Sequence, residues 1–124
     1  MRRLLVAMSL LSAPVHAATV EWTLVATTKN GDKWFVQPKS MQNAGNNNPR
    51  VWVRTVNVSL GKFGEKSVVS QVLFNCVKQD ATLLSLVASD ANGNVVKTES
   101  NMSGYITIPP GSAWSLVMEE VCPR

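Results

Sequence analysis

Most of the chain alternates apolar and polar residues with a period of two, the pattern of strands with one face buried. Residues 20–27 place Trp22 and Leu24 on one side of an extended segment. Asn30-Gly31-Asp32 is a hairpin-turn signal, and residues 33–37, containing Trp34-Phe35-Val36, read as the returning strand, ended by Pro38. Residues 38–50 show no apolar period, and Asn43-Ala44-Gly45-Asn46-Asn47-Asn48-Pro49 reads as a polar loop. Alternation resumes over residues 51–58, with Val51, Val53 and Thr55 opposite Trp52, Arg54 and Val56. Gly61 and Gly64 mark a loop, after which residues 68–77 set Val72, Phe74 and Cys76 on one face. Residues 83–89, a turn at Asn92-Gly93-Asn94, then residues 95–98 and 105–108 complete the extended pieces.

The period changes after Pro109-Pro110. Ser112 follows Gly111 as a candidate N-cap, and Trp114, Val117, Met118 and Val121 recur at the spacing of one helix face. Strands in succession followed by one helix give an α+β fold: an antiparallel, meander-like sheet of about six strands with a C-terminal α-helix on one face.

The N-terminus departs from this pattern. Arg2-Arg3, the apolar run from Leu4 to Leu11 and Ala13-Pro14-Val15-His16-Ala17 together read as an export signal cleaved after Ala17. The apolar run is too short to span a bilayer, which needs about 20 helical residues. Residues 1–17 are therefore expected to be a signal peptide and residues 18–124 a single domain with no transmembrane segment. No cysteine stands at the cleavage point for a lipid, so the product is expected in the periplasm or secreted.

Cleavage alters the charge and the available chemistry. Losing Arg2 and Arg3 takes Lys plus Arg from 12 to 10 against 8 acidic residues, so the net charge of +4 falls to +2. The remaining basic residues are scattered, whereas a nucleic-acid binder clusters them on one face. The chain's 1 histidine, His16, leaves with the signal. Without imidazole, Ser-His-Asp and Cys-His catalysis and an ordinary structural zinc site are excluded. Asp32, Asp80 and Asp90 sit near expected turns, with no spacing that requires catalysis. The sequence implies no enzyme, metal or cofactor.

Two cysteines in an exported chain default to pairing with each other. The spacing lacks the CxxC of thiol oxidoreductases. Cys76 lies with the apolar set of its strand and Cys122 beside the helix stripe, so a disulfide between them would pin helix to sheet.

In this order the segments resemble surface-adhesin protein E-like domains. Trp22-Thr23-Leu24-Val25-Ala26-Thr27, Gly31-Asp32-Lys33-Trp34-Phe35-Val36 and Ser40-Met41 are similar to the opening of those domains, and Val51-Trp52-Val53 to their central strand. Phe74-Asn75-Cys76 resembles the strand with the first half-cystine, and Ile108-Pro109-Pro110-Gly111-Ser112 with Val121-Cys122 the closing segment. The resemblance spans residues 20–122. It implies the same sheet, helix and disulfide, and a non-enzymatic role in binding matrix or plasma proteins of a host. The chain departs from the family pattern at Gln37, where an acidic residue is common, and just after the first cysteine, where the usual basic residues are reduced to Lys78.

Two sets of residues are candidate contacts. The four tryptophans either fill the core or expose an aromatic binding face. Trp22 and Trp114 fall on stripes read as buried, whereas Trp52 lies opposite Val51 and Val53 and faces outward. Arg50, Arg54, Lys62, Lys66 and Lys78 either form a basic patch for an acidic partner, polysaccharide or matrix protein, or solubilise the surface. The sequence thus points to an exported module that binds protein, from host matrix or bacterial envelope, through Arg50, Trp52, Arg54, Lys62 and Lys66. The alternative is a soluble periplasmic inhibitor or envelope accessory protein.

Overall fold

The period-two segments pair into one antiparallel sheet in a computed structural model that describes residues 21–43 and 47–123. The expected signal peptide lies outside the described residues, as does the centre of the Asn-rich loop. The strands are β1 (Thr23–Thr27), β2 (Lys33–Val36), β3 (Gln42–Asn43), β4 (Pro49–Val56), β5 (Ser67–Asn75), β6 (Asp80–Ser89), β7 (Val95–Glu99) and β8 (Gly104–Thr107), followed by the helix α1 (Ala113–Val121). The sheet runs β1-β2-β4-β5-β6-β7, with β3 paired to β4 and β8 paired to β6, so it has 8 strands rather than about six. The unexpected strand is β3, where Gln42 and Asn43 pair with Arg50 and Pro49. Both residues are polar and exposed, so no apolar alternation announces them.

Turn chemistry explains the short connections. Gly31 has φ 98° and its N–H donates to Thr28 O, closing the β1–β2 hairpin. Between β6 and β7, Asp90 Oδ1 accepts from the backbone N–H groups of Asn92 and Asn94, each at 2.9 Å. The side chain of Asn75 does the same for Val77 and Lys78, so β5 ends at Asn75 and β6 starts at Asp80. Cys76 is therefore not the last inward residue of a strand. It stands in the turn just after β5, where its N–H donates to Asn47 O at 2.9 Å.

One face of the sheet is buried over β2, β4, β5 and the start of β6, where α1 lies across it. Val36, Val51, Val53, Val72, Phe74 and Ala81 from β2, β4, β5 and β6 form a buried cluster with Val117 and Val121 of the helix. Trp114 sets its ring edge-on to Trp34, 4.9 Å between centroids, and tilts against Phe74 at 6.2 Å. Ser112 is the N-cap: its Oγ accepts from Ser115 N–H at 3.2 Å. The buried hydroxyl of Ser115 donates to Ser112 O at 2.7 Å, which satisfies the one buried polar residue among the described residues. Cys122 is the C-cap residue and is bonded to Cys76 with the Cα atoms 5.8 Å apart. The expected link between helix and sheet is present, fastened at both element ends.

Each device has a measurable value. Closing a loop of 46 residues is worth about 4 kcal/mol by chain entropy. Replacing Cys76 and Cys122 by Ser is expected to lower the unfolding free energy by about that amount in a urea titration. Phe74 is fully buried at the helix contact, so Phe74→Ala is expected to cost about 3–5 kcal/mol in the same titration.

Candidate functional site

Alternation that turns Val51 and Val53 toward the helix turns Arg50, Trp52 and Arg54 to the other face of β4. Cross-strand register extends that face. Trp52 is paired with Gln71, Arg54 with Phe35 and Val69, and Val69 in turn with Val87. Arg50 pairs with Leu73, then Thr82 and Tyr105 continue the row across β6 and β8. Among the described residues, no helix covers this face. It is the open side of the sheet.

A hollow of about 370 Å³ lies in the middle of the open face, lined by Trp22, Gln37, Trp52, Val69 and Val87. Its wall is aromatic and aliphatic, with Gln37 its one amide side chain. The tryptophans divide two and two: Trp34 and Trp114 pack within the helix-covered core, whereas Trp22 and Trp52 line the hollow. Trp22 was expected on a buried stripe. It does share its side of β1 with Leu24, which is 51 % exposed, but that side is the one the helix leaves uncovered. Trp52 stands away from the helix side, as its phase requires.

The five candidate contact residues separate into two places. Arg50, Trp52 and Arg54 share one face of one strand. Lys62 and Lys66 belong to the β4–β5 connection, and both are occupied locally. Lys62 Nζ lies 5.3 Å from the Phe63 ring centroid, and Lys66 Nζ donates to Val58 O at 3.1 Å. Lys97 of β7 approaches the same ring at 5.0 Å, so Phe63 has two ammonium groups within cation–π reach. Sequence reading gave Lys97 no part in this, because only the folded loop brings it to Phe63. Lys78 stands apart from both groups, in the β5–β6 turn. There it lines a second, more polar hollow of about 280 Å³ with Asn48, Asn75, Asp80, Thr82 and Tyr105.

The carboxylates near turns serve the turns. Asp32 Oδ1 accepts from Val58 N–H at 2.8 Å, tying the first hairpin to the β4–β5 loop. Asp90 holds the β6–β7 turn, and Asp80 Oδ2 accepts from the Tyr105 hydroxyl at 3.0 Å. Among the described residues, no three His, Cys, Asp or Glu side chains converge as metal ligands, and no helix is long and apolar enough to cross a membrane.

Residues missed at the open face carry a signal that is readable in retrospect. Val69 and Gln71 alternate with Val68 and Ser70 in β5, so once Trp52 is paired with Gln71 their side is fixed. Val87 follows from Val69 in the same way. Gln37 lies just beyond β2, its N–H donating to Trp52 O at 3.1 Å, which carries the hollow to the start of the 3-10 turn at Pro38–Ser40.

A family model described as surface-adhesin protein E matches residues 22–123, which takes in every element of the fold. No curated protein and no solved structure matches the chain.

The hydrogen bond to Asp80 and the charge of its carboxylate hold the Tyr105 phenol above its ordinary pKa. A raised folded pKa favours the native state below the unfolded pKa, and that contribution is lost as pH rises through the folded value. The chain has 1 tyrosine, so ultraviolet absorbance titration reads it alone. Titration of the native protein is expected above that of a tyrosine model peptide, and Asp80→Asn is expected to bring it back down.

Proposed function

The chain belongs to the surface-adhesin protein E family, and on that premise we propose that it is an exported, non-enzymatic module that binds a protein through the open face of its sheet. In this reading residues 1–17 are removed on export and residues 18–124 act outside the inner membrane, in the periplasm or beyond. The partner is a protein of host matrix or bacterial envelope, and no cofactor takes part.

One observation carries the proposal: two tryptophans line an apolar hollow on a sheet face that the protein's own helix leaves uncovered. Tryptophan is over-represented among residues that dominate binding energy, because a large rigid ring buries much area with few torsions to freeze. Arginine on the rim adds steering and orientation. Arg50 and Arg54 have this position on either side of Trp52. Lys62 and Lys66 then serve the loop beside the site, steering an acidic partner at longer range. The rigid ladder beneath suits such a surface, since little order has to be created on binding.

The family points to binding, and the turn carboxylates are taken up in holding loops rather than facing one another across a cleft. This favours recognition over catalysis.

The test is binding of the purified protein to immobilised extracellular-matrix proteins and to envelope proteins. Trp52→Ala is expected to weaken the interaction at least about tenfold, the usual scale for an interface hot spot. Equal binding by Trp52→Ala, with an unchanged unfolding transition, would remove the open face from the proposal.

A further inference from the structure

The open face has a charge pattern that its own fold does not neutralise. Lys33, Arg50 and Arg54 all project on this side by register: Lys33 lies opposite Val56, and Phe35 opposite Arg54. Among the described residues the one ion pair is Lys97–Glu99, at 3.2 Å, so neither arginine is held by a carboxylate. Arg50 also keeps Nε buried with no hydrogen-bond partner. Being buried, Nε is not the atom a partner meets, so a carboxylate would pair with the rest of the guanidinium. The carboxylate that alternation places on this face, Asp80, lies two strands from Arg50 and already accepts from Tyr105.

The spacing is as informative as the charge. Arg50, Trp52 and Arg54 occur at i, i+2 and i+4 of one strand, so the two arginines are based about 13 Å apart with the indole midway. An extended peptide has the same rise. Its residues one and five therefore match the arginines, while residue three meets the hollow beside Trp52. The hollow is lined by the rings of Trp22 and Trp52 and the side chains of Val69 and Val87, with Gln37 its one amide side chain, so the middle position takes an apolar side chain. The strands beneath spend their main-chain groups on one another, so the contact is made by side chains rather than by adding a strand.

We infer that the open face recognises an extended acidic segment of the form acid–x–apolar–x–acid. The carboxylates pair with Arg50 and Arg54, and the central Leu or Phe seats between Trp22 and Trp52. This inference rests on the protein-binding reading of the same face and supplies the chemistry of its partner. Guanidinium and carboxylate are geometrically matched, which gives the pairing direction as well as charge. Trp22 and Trp52 supply the apolar contact around which the charged rim sits.

The experiment uses the purified protein and a synthetic peptide, Ser-Glu-Thr-Leu-Thr-Glu-Ser, with binding followed by titration calorimetry. Replacing both peptide glutamates by glutamine is expected to weaken binding at least about tenfold, and replacing the leucine by serine to weaken it similarly. These comparisons need no change to the protein and stand whether or not a variant folds. The Arg50→Glu, Arg54→Glu double variant is expected to lose the glutamate peptide and to bind its lysine counterpart, Ser-Lys-Thr-Leu-Thr-Lys-Ser. Equal affinity for the glutamate and glutamine peptides would overturn the inference. So would binding of a sulfated polysaccharide that depends on Trp52 while the peptide fails to bind. If matrix or envelope binding is abolished by Trp52→Ala yet untouched by the double reversal, the acidic complement fails and the face survives. If both variants bind as before, the face itself fails.

Discussion

Among the described residues one α-helix, of 9 residues, has to cover one side of an eight-stranded sheet, and the rest of the structure follows from that limit. The helix spans the sheet where β2, β4 and β5 bring forward Val36, Val51, Val53, Val72 and Phe74, and it answers with Trp114, Val117 and Val121. A helix this short is not stable alone, since isolated helices need about 12–15 residues even in favourable sequences. Its persistence comes from the apolar stripe, from Ser112 at its start and from the bond between Cys122 and Cys76 at its end. The disulfide fixes the end that lacks any basic side chain to complement the helix dipole. Fastening α1 on one side also determines which side remains bare.

Much of this is legible in the amino-acid order. Val51 and Val53 opposite Trp52 and Arg54 defined β4 and its two faces, and the stripe through Trp114, Val117 and Val121 defined the helix. The turn residues Gly31 and Gly93 were readable because few side chains tolerate their positive φ. Other features were hidden for physical reasons. Period-two alternation says which residues share a side, but not which side the helix will choose. Trp22 and Leu24 were correctly grouped, yet their side of β1 became the open one. β3 is two polar residues held by backbone pairing, a bond that leaves no mark on side-chain pattern. The start of β6 at Asp80 was hidden in the same way, since Asp80 and Thr82 look like turn residues until Asn75 is seen closing the turn.

The candidate site shows the same division. Arg50, Trp52 and Arg54 can be grouped from the sequence because they are local to one strand and one phase. Their companions in the hollow come from β5, β6 and the segment before β1, and only pairing brings them together. The lysines of the β4–β5 loop looked like one patch with the arginines in the linear sequence. Folding instead turns Lys62 to Phe63, where it meets Lys97, and ties Lys66 to the Val58 carbonyl. Charge alone misleads here because it carries no direction, whereas strand phase does.

The arrangement around β6 has one more consequence. Along one side β6 pairs with β5 for nearly its whole length, but its other side is divided between β7 at one end and β8 at the other. The sheet therefore finishes there in two short, offset strands, and β7 carries Lys97 and Glu99. At the opposite margin β1 is 5 residues long and interrupted by a register shift between Leu24 and Ala26. Neither border offers the long, flat, unpaired ladder on which identical molecules stack into fibrils. A protein with a bare aromatic face gains from borders that offer its own copies no such ladder.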